Sequence, residues 1–273
     1  MSVEARRRRE YFARLCMTPG VFSAFRLHAE AGMWKERPEP QQRSWRNVSE
    51  HCLVEVARVN VLASRIGLEE QVTSDLRIAA ALHDLMKDNE IHLLKAEGSS
   101  YATYAKASEA SNAVMRQAGF SENIIRLANS VGHESLEETQ RILTKTELDP
   151  YDKAYLLLHY IDDITRGSEW IDPVETNGDI RRNELDRRID KNEVNAQPGG
   201  YYAGLNEEGR KYFFGETTFE AQRRIGMLVE ERIAVMIYET TNQKIPPKEL
   251  PEFIDAGVRE GIDAIQINLP SSI

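Results

Sequence analysis

Apolar residues recur along most of the chain at the three- and four-residue spacing of an α-helix. The clearest case runs from Val48 to Ile66, where Asn47 offers an N-cap, Glu50 follows three residues later and Gly67 closes the segment. No alternation typical of a β-strand extends beyond a few positions. The pattern therefore predicts an all-α fold.

The same periodicity predicts helices in most other parts of the chain. Their expected ranges are 3–16, 20–32, 74–86, 105–118, 122–131, 150–166, 180–194, 218–240 and 247–266. Ser74 is the expected N-cap of the helix over 74–86. Asp149 followed by Pro150 is a strong start for the helix at 150.

A change of pattern divides the chain. Turn-forming residues predominate over 167–216, which places a soft boundary around residues 167–178. We predict an N-terminal helical segment over 1–40 that packs on the core, a core over 41–170 and a C-terminal helical extension over 171–273. The extension carries no chemistry of its own in the sequence. We therefore expect it to pack on the core as a lobe or to serve as the surface of a homo-oligomer.

Composition narrows the class of protein. The chain has 273 residues, and its 29% of charged residues is ordinary for a globular protein. A net charge of −9 argues against a nucleic-acid partner, and no apolar run approaches the length of a membrane span or a signal peptide core. Cys16 and Cys52 form no CxxC pair, so we expect reduced thiols in a cytoplasmic protein.

Three helical segments carry the residues of greatest chemical interest. They read NVSEHCLVEVARV, AALHDLMKD and LLLHYIDDITR, and they contain His51, His83 with Asp84, and Asp162. Side chains of His83 and Asp84 would point about 100° apart on a helix, which lets both reach one ion. Two imidazoles and two carboxylates from three helices predict a divalent metal site with open positions for water and substrate. Asp163 is the alternative to Asp162.

This arrangement resembles the HD superfamily of metal-dependent phosphohydrolases, whose pattern is H…HD…D. The resemblance covers about residues 40–170 and implies a helical bundle that holds the ion with His51, His83, Asp84 and an aspartate. In that family the last aspartate follows a small or apolar residue, which favours Asp162. The resemblance implies hydrolysis of a phosphorylated small molecule, most simply a nucleotide. The metal can be manganese, cobalt, iron, nickel, zinc or magnesium on this pattern.

Two further similarities bear on the substrate. RNVSEHCL resembles the first motif of the 5'-deoxynucleotidases. Those enzymes carry an acidic residue at the position where this chain has Lys87. HDLMKD is instead similar to the HD-x-x-K form of phosphodiesterases and polyphosphate hydrolases. GHESL, with His133, resembles HD enzymes that cleave dinucleoside polyphosphates and hold a second metal with additional histidines. Residues 100–112 lack the expected partner histidine, so one metal is the prediction.

Roles follow for the neighbouring polar residues. Lys87 is expected to stabilise phosphoryl oxygens, and Arg46 to clamp a phosphate in a bidentate manner. His133 or His92 would protonate the leaving group. His159, one turn before Asp162, is expected in core packing or in an outer contact of the site.

Several other residues are expected to have structural or surface roles without chemistry. His28 is expected to be structural or exposed, and Glu55 to lie on a solvated face, although Glu50 or Glu55 can orient the ring of His51. Gly199-Gly200-Tyr201-Tyr202 is expected to form an ordinary surface loop rather than a lid.

Three functions are compatible with the residues. The first is a phosphohydrolase that uses metal-activated water. The second is an HD-fold di-iron oxygenase, which the missing histidine in residues 100–112 disfavours. The third is a nucleotide-binding regulatory module without turnover, which an intact set of four ligands disfavours.

Overall fold

The computed structural model describes residues 2–34, 46–165 and 185–266, apart from the side chains of 185–188 and 191. Within these ranges the chain forms helices and no strand, so the predicted all-α fold is confirmed. The helices are α1 (Val3–Cys16), α2 (Pro19–Glu30), α3 (Arg46–Arg65), α4 (Glu70–Leu82), α5 (Lys87–Glu97), α6 (Tyr101–Gln117), α7 (Glu122–Ala128), α8 (Leu136–Leu143), α9 (Pro150–Ile164), α10 (Leu185–Val194), α11 (Ala203–Glu208), α12 (Thr218–Thr241) and α13 (Leu250–Asp263).

Several predicted helix ends are correct because their caps form. Asp149 accepts a hydrogen bond from the backbone N–H of Asp152 at 2.8 Å, which caps α9 in front of Pro150. Gly67 takes the left-handed backbone conformation (φ 67°) just after α3.

Other predicted ends are wrong. Ser74 does not cap a helix, because α4 begins four residues earlier at Glu70 and Ser74 lies inside α4. The carboxylate of Glu70 interacts favourably with the positive end of the helix dipole. Asn47 likewise lies inside the first turn of α3. The helix expected over 74–86 stops at Leu82, and a new helix begins at Lys87.

Three helices were not predicted, namely α5, α8 and α11, which are short or carry mixed polar and apolar positions. The segment KERPEPQQRSW (35–45), whose polar residues and prolines predict a loop between two helices, lies outside the described residues, and so does the boundary expected over 167–178. The division of the chain near residue 170 therefore stays a prediction.

Helices α3, α4 and α9 form the centre of the fold. Leu62, Leu76 and Leu157, one from each, are fully buried. The same hydrophobic core continues into α1, α2, α12 and α13, with Ile233 and Ile254 also fully buried. Helices from both ends of the chain thus pack on the central three helices and share their core.

A buried ion pair fixes α13 to this centre. Arg58 of α3 donates from Nε and Nη2 to Oδ1 of Asp255 in α13 at 3.1 and 3.0 Å, and from Nη1 to the hydroxyl of Thr165 at 2.9 Å. The two charged side chains are only 5% and 9% exposed. A buried guanidinium held by three hydrogen bonds sets the position of α13 against α3 and the end of α9.

His28 joins α2 to the two helices that carry the candidate ligands. Since a carbonyl oxygen only accepts, Nε2 of His28 donates to the carbonyl of Ala81 at 2.7 Å, and Nδ1 accepts from the hydroxyl of Ser49 at 2.8 Å. Burial lowers the pKa of His28 to about 4, so the ring is neutral. The structural role expected of His28 is confirmed.

Two further expectations concern the chain as a whole. Cys16 and Cys52 are both free thiols, as predicted. None of the described helices combines the length and the apolar character needed to cross a membrane.

Candidate metal centre

His83 and Asp84 lie at a corner between two helices rather than inside one. α4 ends at Leu82, and residues 83–86 form a turn before α5 begins. The Nδ1 of His83 donates to the carbonyl of Ala80 at 2.9 Å, which leaves Nε2 as the ring nitrogen with a lone pair. The corner gives both side chains access to one cavity, a placement that the helical geometry assumed from the sequence did not include.

The Nε2 atom of His83 faces two carboxylates. It lies 3.7 Å from Oδ2 of Asp84 and 3.9 Å from Oδ1 of Asp162. The atom is buried and has no hydrogen-bond partner among the described residues. A buried lone pair that faces carboxylate oxygens is unfavourable unless a cation lies between them.

His51 completes this group from α3. Its Nε2 lies 3.6 Å from Oδ1 of Asp162, and its ring is edge-on to that of His83 with centroids 5.4 Å apart. Atoms that each bind one ion at roughly 2.0–2.2 Å lie about 3–4 Å from one another, which is the spacing found here. The donor set therefore fits a divalent metal ion.

Adjacent aspartates at the end of α9 point in different directions. Asp162 faces the two imidazoles, whereas Asp163 accepts a hydrogen bond from Nε2 of Gln222 in α12 at 3.0 Å. The Oδ2 of Asp163 also lies 3.7 Å from Nε2 of His159. The structure thus brings Asp162, not Asp163, to the histidine pair.

Glu55 is the member of the group that the sequence did not predict as a ligand. The expectation of a solvated face is wrong, since Glu55 is 0% exposed, whereas the alternative that it orients the ring of His51 agrees with their contact. Its Oε1 lies 2.9 Å from Nε2 of His51 and its Oε2 lies 3.4 Å from Nδ1 of His83. His51, Glu55, His83 and Asp162 each offer a donor atom within 4.8 Å of the others. The signal was the position of an acid four residues after His51, one helical turn away.

The electrostatics of the group call for positive charge. Burial opposes a charge on His51, but the carboxylates of Glu55 and Asp162 outweigh it and raise the pKa of this imidazole to about 10. Burial would raise the pKa of Asp84, but the charges of Lys87 and His83 outweigh it and lower that pKa to about 2. The negative charge around His51 is thus matched by a proton on its imidazole or by a metal ion that replaces that proton.

A cavity of about 510 Å³ opens beside these residues. Helices α5 and α6 form one side of it, with Lys87 at the metal end and Tyr104 further out. Residues from the part of the chain after residue 185 also line it, among them Tyr201, Tyr202 and Gln222. Residues 199–202 form a turn with Gly199 and Tyr201 exposed, as expected of a surface loop, and its two tyrosines also line the cavity, which was not expected.

The backbone explains how this tyrosine pair is held. The backbone N–H of Tyr202 donates to the carbonyl of Asn195 at 2.8 Å, which folds the segment back onto the end of α10. A Cβ on Gly200 would lie 2.3 Å from the same carbonyl, so only glycine fits there. The C-terminal part therefore contributes a wall of the cavity as well as a packing surface.

His133 lines the same cavity but is surrounded by aromatic rings. Its ring is edge-on to Tyr104, Tyr202 and Phe219, with centroids 5.7, 5.9 and 5.3 Å away. The three rings come from α6, from the tyrosine segment and from α12. His133 therefore anchors the wall of the cavity, and its predicted role as a proton donor stays a prediction.

The remaining predicted residues differ in where they lie. The Nζ of Lys87 is 3.2 Å from Oδ1 of Asp84, inside the cavity. Arg46 is not among the described residues that line it, because its Nε donates to Oε1 of Glu50 one turn later at 2.9 Å. The side chain of His92 is 73% exposed and outside the cavity, so its predicted contact with substrate is wrong.

His159 is buried beside this site. Its Nδ1 donates to the carbonyl of Ser130 at 2.8 Å, which ties α9 to the loop after α7. The expectation of core packing or an outer contact is confirmed, since the ring also approaches Asp163.

Comparison of the chain with protein-family models, with curated proteins and with solved structures finds no match. Chemically, a buried group of imidazoles and carboxylates at the wall of a cavity can hold a divalent ion with positions open to a ligand.

Proposed function

We propose that the protein is a metal-dependent phosphohydrolase of the HD superfamily that cleaves a phosphate ester or anhydride of a nucleotide or a similar small molecule. One observation carries the proposal. The lone pair of His83 Nε2 faces the carboxylates of Asp84 and Asp162 in a buried corner, and Lys87 lies at the same corner of the cavity. A cation site beside an ammonium group suits a phosphoryl group better than a neutral substrate.

Different residues of the chain are assigned to holding the metal ion and to positioning its ligands. His51, His83, Asp84 and Asp162 would hold the ion, with Glu55 against both imidazoles. A bound divalent ion would polarise a phosphoryl oxygen and lower the pKa of a water.

Lys87, next to Asp84, offsets the negative charge that grows on the non-bridging oxygens of the phosphoryl group. Its ammonium also contacts Oε1 of Glu90 at 3.0 Å. The two carboxylates hold the charge at the metal end of the cavity.

The cavity suits a small molecule. Its volume of about 510 Å³ lies within the roughly 300–1,000 Å³ that small-ligand sites occupy. Tyr104, Tyr201 and Tyr202 offer ring surface to the part of the substrate that carries no phosphate.

The di-iron oxygenase is less well supported. Among the described residues one group of histidines and carboxylates lies close enough together to hold an ion, and His133 is packed among aromatic rings. The regulatory module remains the alternative that the activity test separates.

Phosphate release from nucleoside mono-, di- and triphosphates and simple phosphoesters, with each of several divalent metals, tests the proposal. We expect His83→Gln and Asp162→Asn to lose activity by about 100-fold or more, because a ligand is lost. His92→Gln, an exposed control, should retain it. Full activity in His83→Gln would contradict the proposal. A tight nucleotide complex that no metal allows to turn over would favour the regulatory module.

A further inference from the structure

Glu134 is held in one orientation in the wall of the cavity. It lies in the 3-10 turn His133–Ser135, and its Oε1 accepts a hydrogen bond from the hydroxyl of Ser108 in α6 at 2.8 Å. Gly132, two residues earlier, has φ 81°, a backbone conformation that favours glycine, and a Cβ at that position would lie 2.9 Å from Oε2 of Glu134. The carboxyl group thus lies directly against the backbone of Gly132.

The second oxygen of this carboxyl group has different surroundings. Oε2 of Glu134 is buried and has no hydrogen-bond partner in the described part of the chain. An ionised carboxylate oxygen left in that condition is unfavourable, whereas a protonated carboxyl group carries a proton that a ligand can accept. Glu134 lines the same cavity as His83, Asp84 and Lys87.

Charged and titratable groups of several helices surround Glu134. Burial is the largest influence and raises its pKa, with the net shift upward; its own backbone N–H and the hydroxyl of Ser108 oppose this effect, as does the charge of Lys87, and the charge of Glu90 in α5 adds to it. Tyr101 of α6 and Tyr155 of α9 also interact with it electrostatically. The group is therefore poised to keep its proton to higher pH than an exposed glutamate.

We propose that Glu134 is the general acid of the reaction, donating the proton on Oε2 to the oxygen of the leaving group. The inference rests on the proposed function. Water attacks phosphorus and gives up a proton to solvent. The bond from phosphorus to the leaving oxygen breaks, and its electron pair goes to that oxygen, which takes the proton of Glu134. The carboxylate regains a proton from solvent before the next turnover.

Neighbouring groups are less suited to this step. Glu90 already binds the ammonium of Lys87 at 3.0 Å. The ring of His133 is edge-on to three aromatic rings, and His92 lies outside the cavity. Glu134 combines a place in the cavity wall, a fixed orientation through Ser108 and an oxygen without a partner.

Leaving groups of different basicity provide the test. Glu134→Gln is compared with wild type on p-nitrophenyl phosphate, whose leaving group needs no proton, and on an alkyl phosphate, whose leaving group does. We expect kcat/KM on the alkyl ester to fall about 100-fold or more, and on p-nitrophenyl phosphate by less than about threefold. Wild-type activity on the alkyl ester should also decline at high pH, and this decline should be absent in Glu134→Gln. Glu137→Gln, an exposed neighbour with the same change of charge, should match wild type on both esters.

Ser108→Ala provides a second variant that leaves the carboxyl group in place. It should slow the alkyl ester selectively but by less than Glu134→Gln, because the acid loses only its orientation. An equal loss on both esters, or no loss, in these variants while wild type is active would overturn the role of Glu134 alone. Absence of phosphoester hydrolysis by wild type with every metal would overturn the proposed function and this inference together.

Discussion

Oε1 of Glu55 lies 2.9 Å from Nε2 of His51, in a position to which solvent has no access. The two residues are one turn apart on α3, and the same carboxylate reaches Nδ1 of His83 at 3.4 Å. One buried acid thus touches both imidazoles of the candidate metal centre. On His51 the carboxylate lies beside the ring nitrogen that also faces Asp162, so Glu55 places a negative charge among the donor atoms of the centre; on His83 it lies beside the other ring nitrogen, where it can orient the ring.

We expect Glu55→Gln to weaken metal binding about 10–100-fold, because loss of such a carboxylate lowers the negative charge around the ion and loosens both rings. Titration calorimetry with Mn²⁺ on the metal-free protein measures the change. Glu50→Gln is the matched control on the same helix, since its buried carboxylate pairs with the half-exposed Arg46 and not with a histidine. An unchanged Kd in Glu55→Gln would exclude this role.

Much of the candidate site could be predicted because its residues occur in a recognisable order. The segments with His51, His83 and Asp84, and Asp162 each carry helical periodicity, which also gave the fold class. Glu55 escaped because glutamate is rarely fully buried, so an exposed face was the better guess.

Other parts could not be predicted because they depend on packing between distant segments. Tyr202 and Gln222 reach the cavity only because α12 packs against α9, and local periodicity holds no information on that contact. Arg46 was predicted to bind a phosphate because of its position in sequence before His51. In the structure its side chain donates instead to Glu50, one turn later on the same helix.

Lys87 allows a test of the electrostatic role assigned to it. Lys87→Met should lower kcat about 100-fold, because the charge on the phosphoryl oxygens is then no longer offset. Lys106→Met removes one positive charge from the exposed surface of α6, outside the cavity, and should leave kcat unchanged. Steady-state kinetics on the best substrate of the screen gives both values. Equal kinetics for Lys87→Met and wild type would contradict the assignment.

The buried ring of His28 predicts a pH dependence of stability. The pKa of His28 is lowered from 6.5 to about 4 in the folded protein. Between these two pH values, His28 is therefore protonated in the unfolded chain and neutral in the folded protein. The associated stability is present above pH 6.5 and is lost as the pH falls through 4, to a total of about 3 kcal/mol. Urea unfolding in the presence of a chelator measures it.

His28→Gln supplies the comparison for this measurement, since glutamine does not titrate. The difference in free energy of unfolding between wild type and His28→Gln should shrink as the pH falls from 6.5 to 4. A difference that stays constant over this range would show that His28 does not resist protonation in the folded state.

Two ion pairs between α3 and α13 provide a matched test of how the C-terminal helix is held. Asp255→Ala strands the buried guanidinium of Arg58, and we expect it to lower the free energy of unfolding by about 3–5 kcal/mol. Glu260→Ala breaks the ion pair with Arg65, in which the side chains of Arg65 and Glu260 are 37% and 69% exposed. This substitution should lower the free energy of unfolding by less than about 1 kcal/mol. Chemical unfolding monitored by circular dichroism gives both values.

Because α13 shares the hydrophobic core of α3, the loss of stability in Asp255→Ala should appear as a shift of the whole unfolding transition. A separate early transition would instead show that α13 unfolds independently of the helices that carry the metal centre.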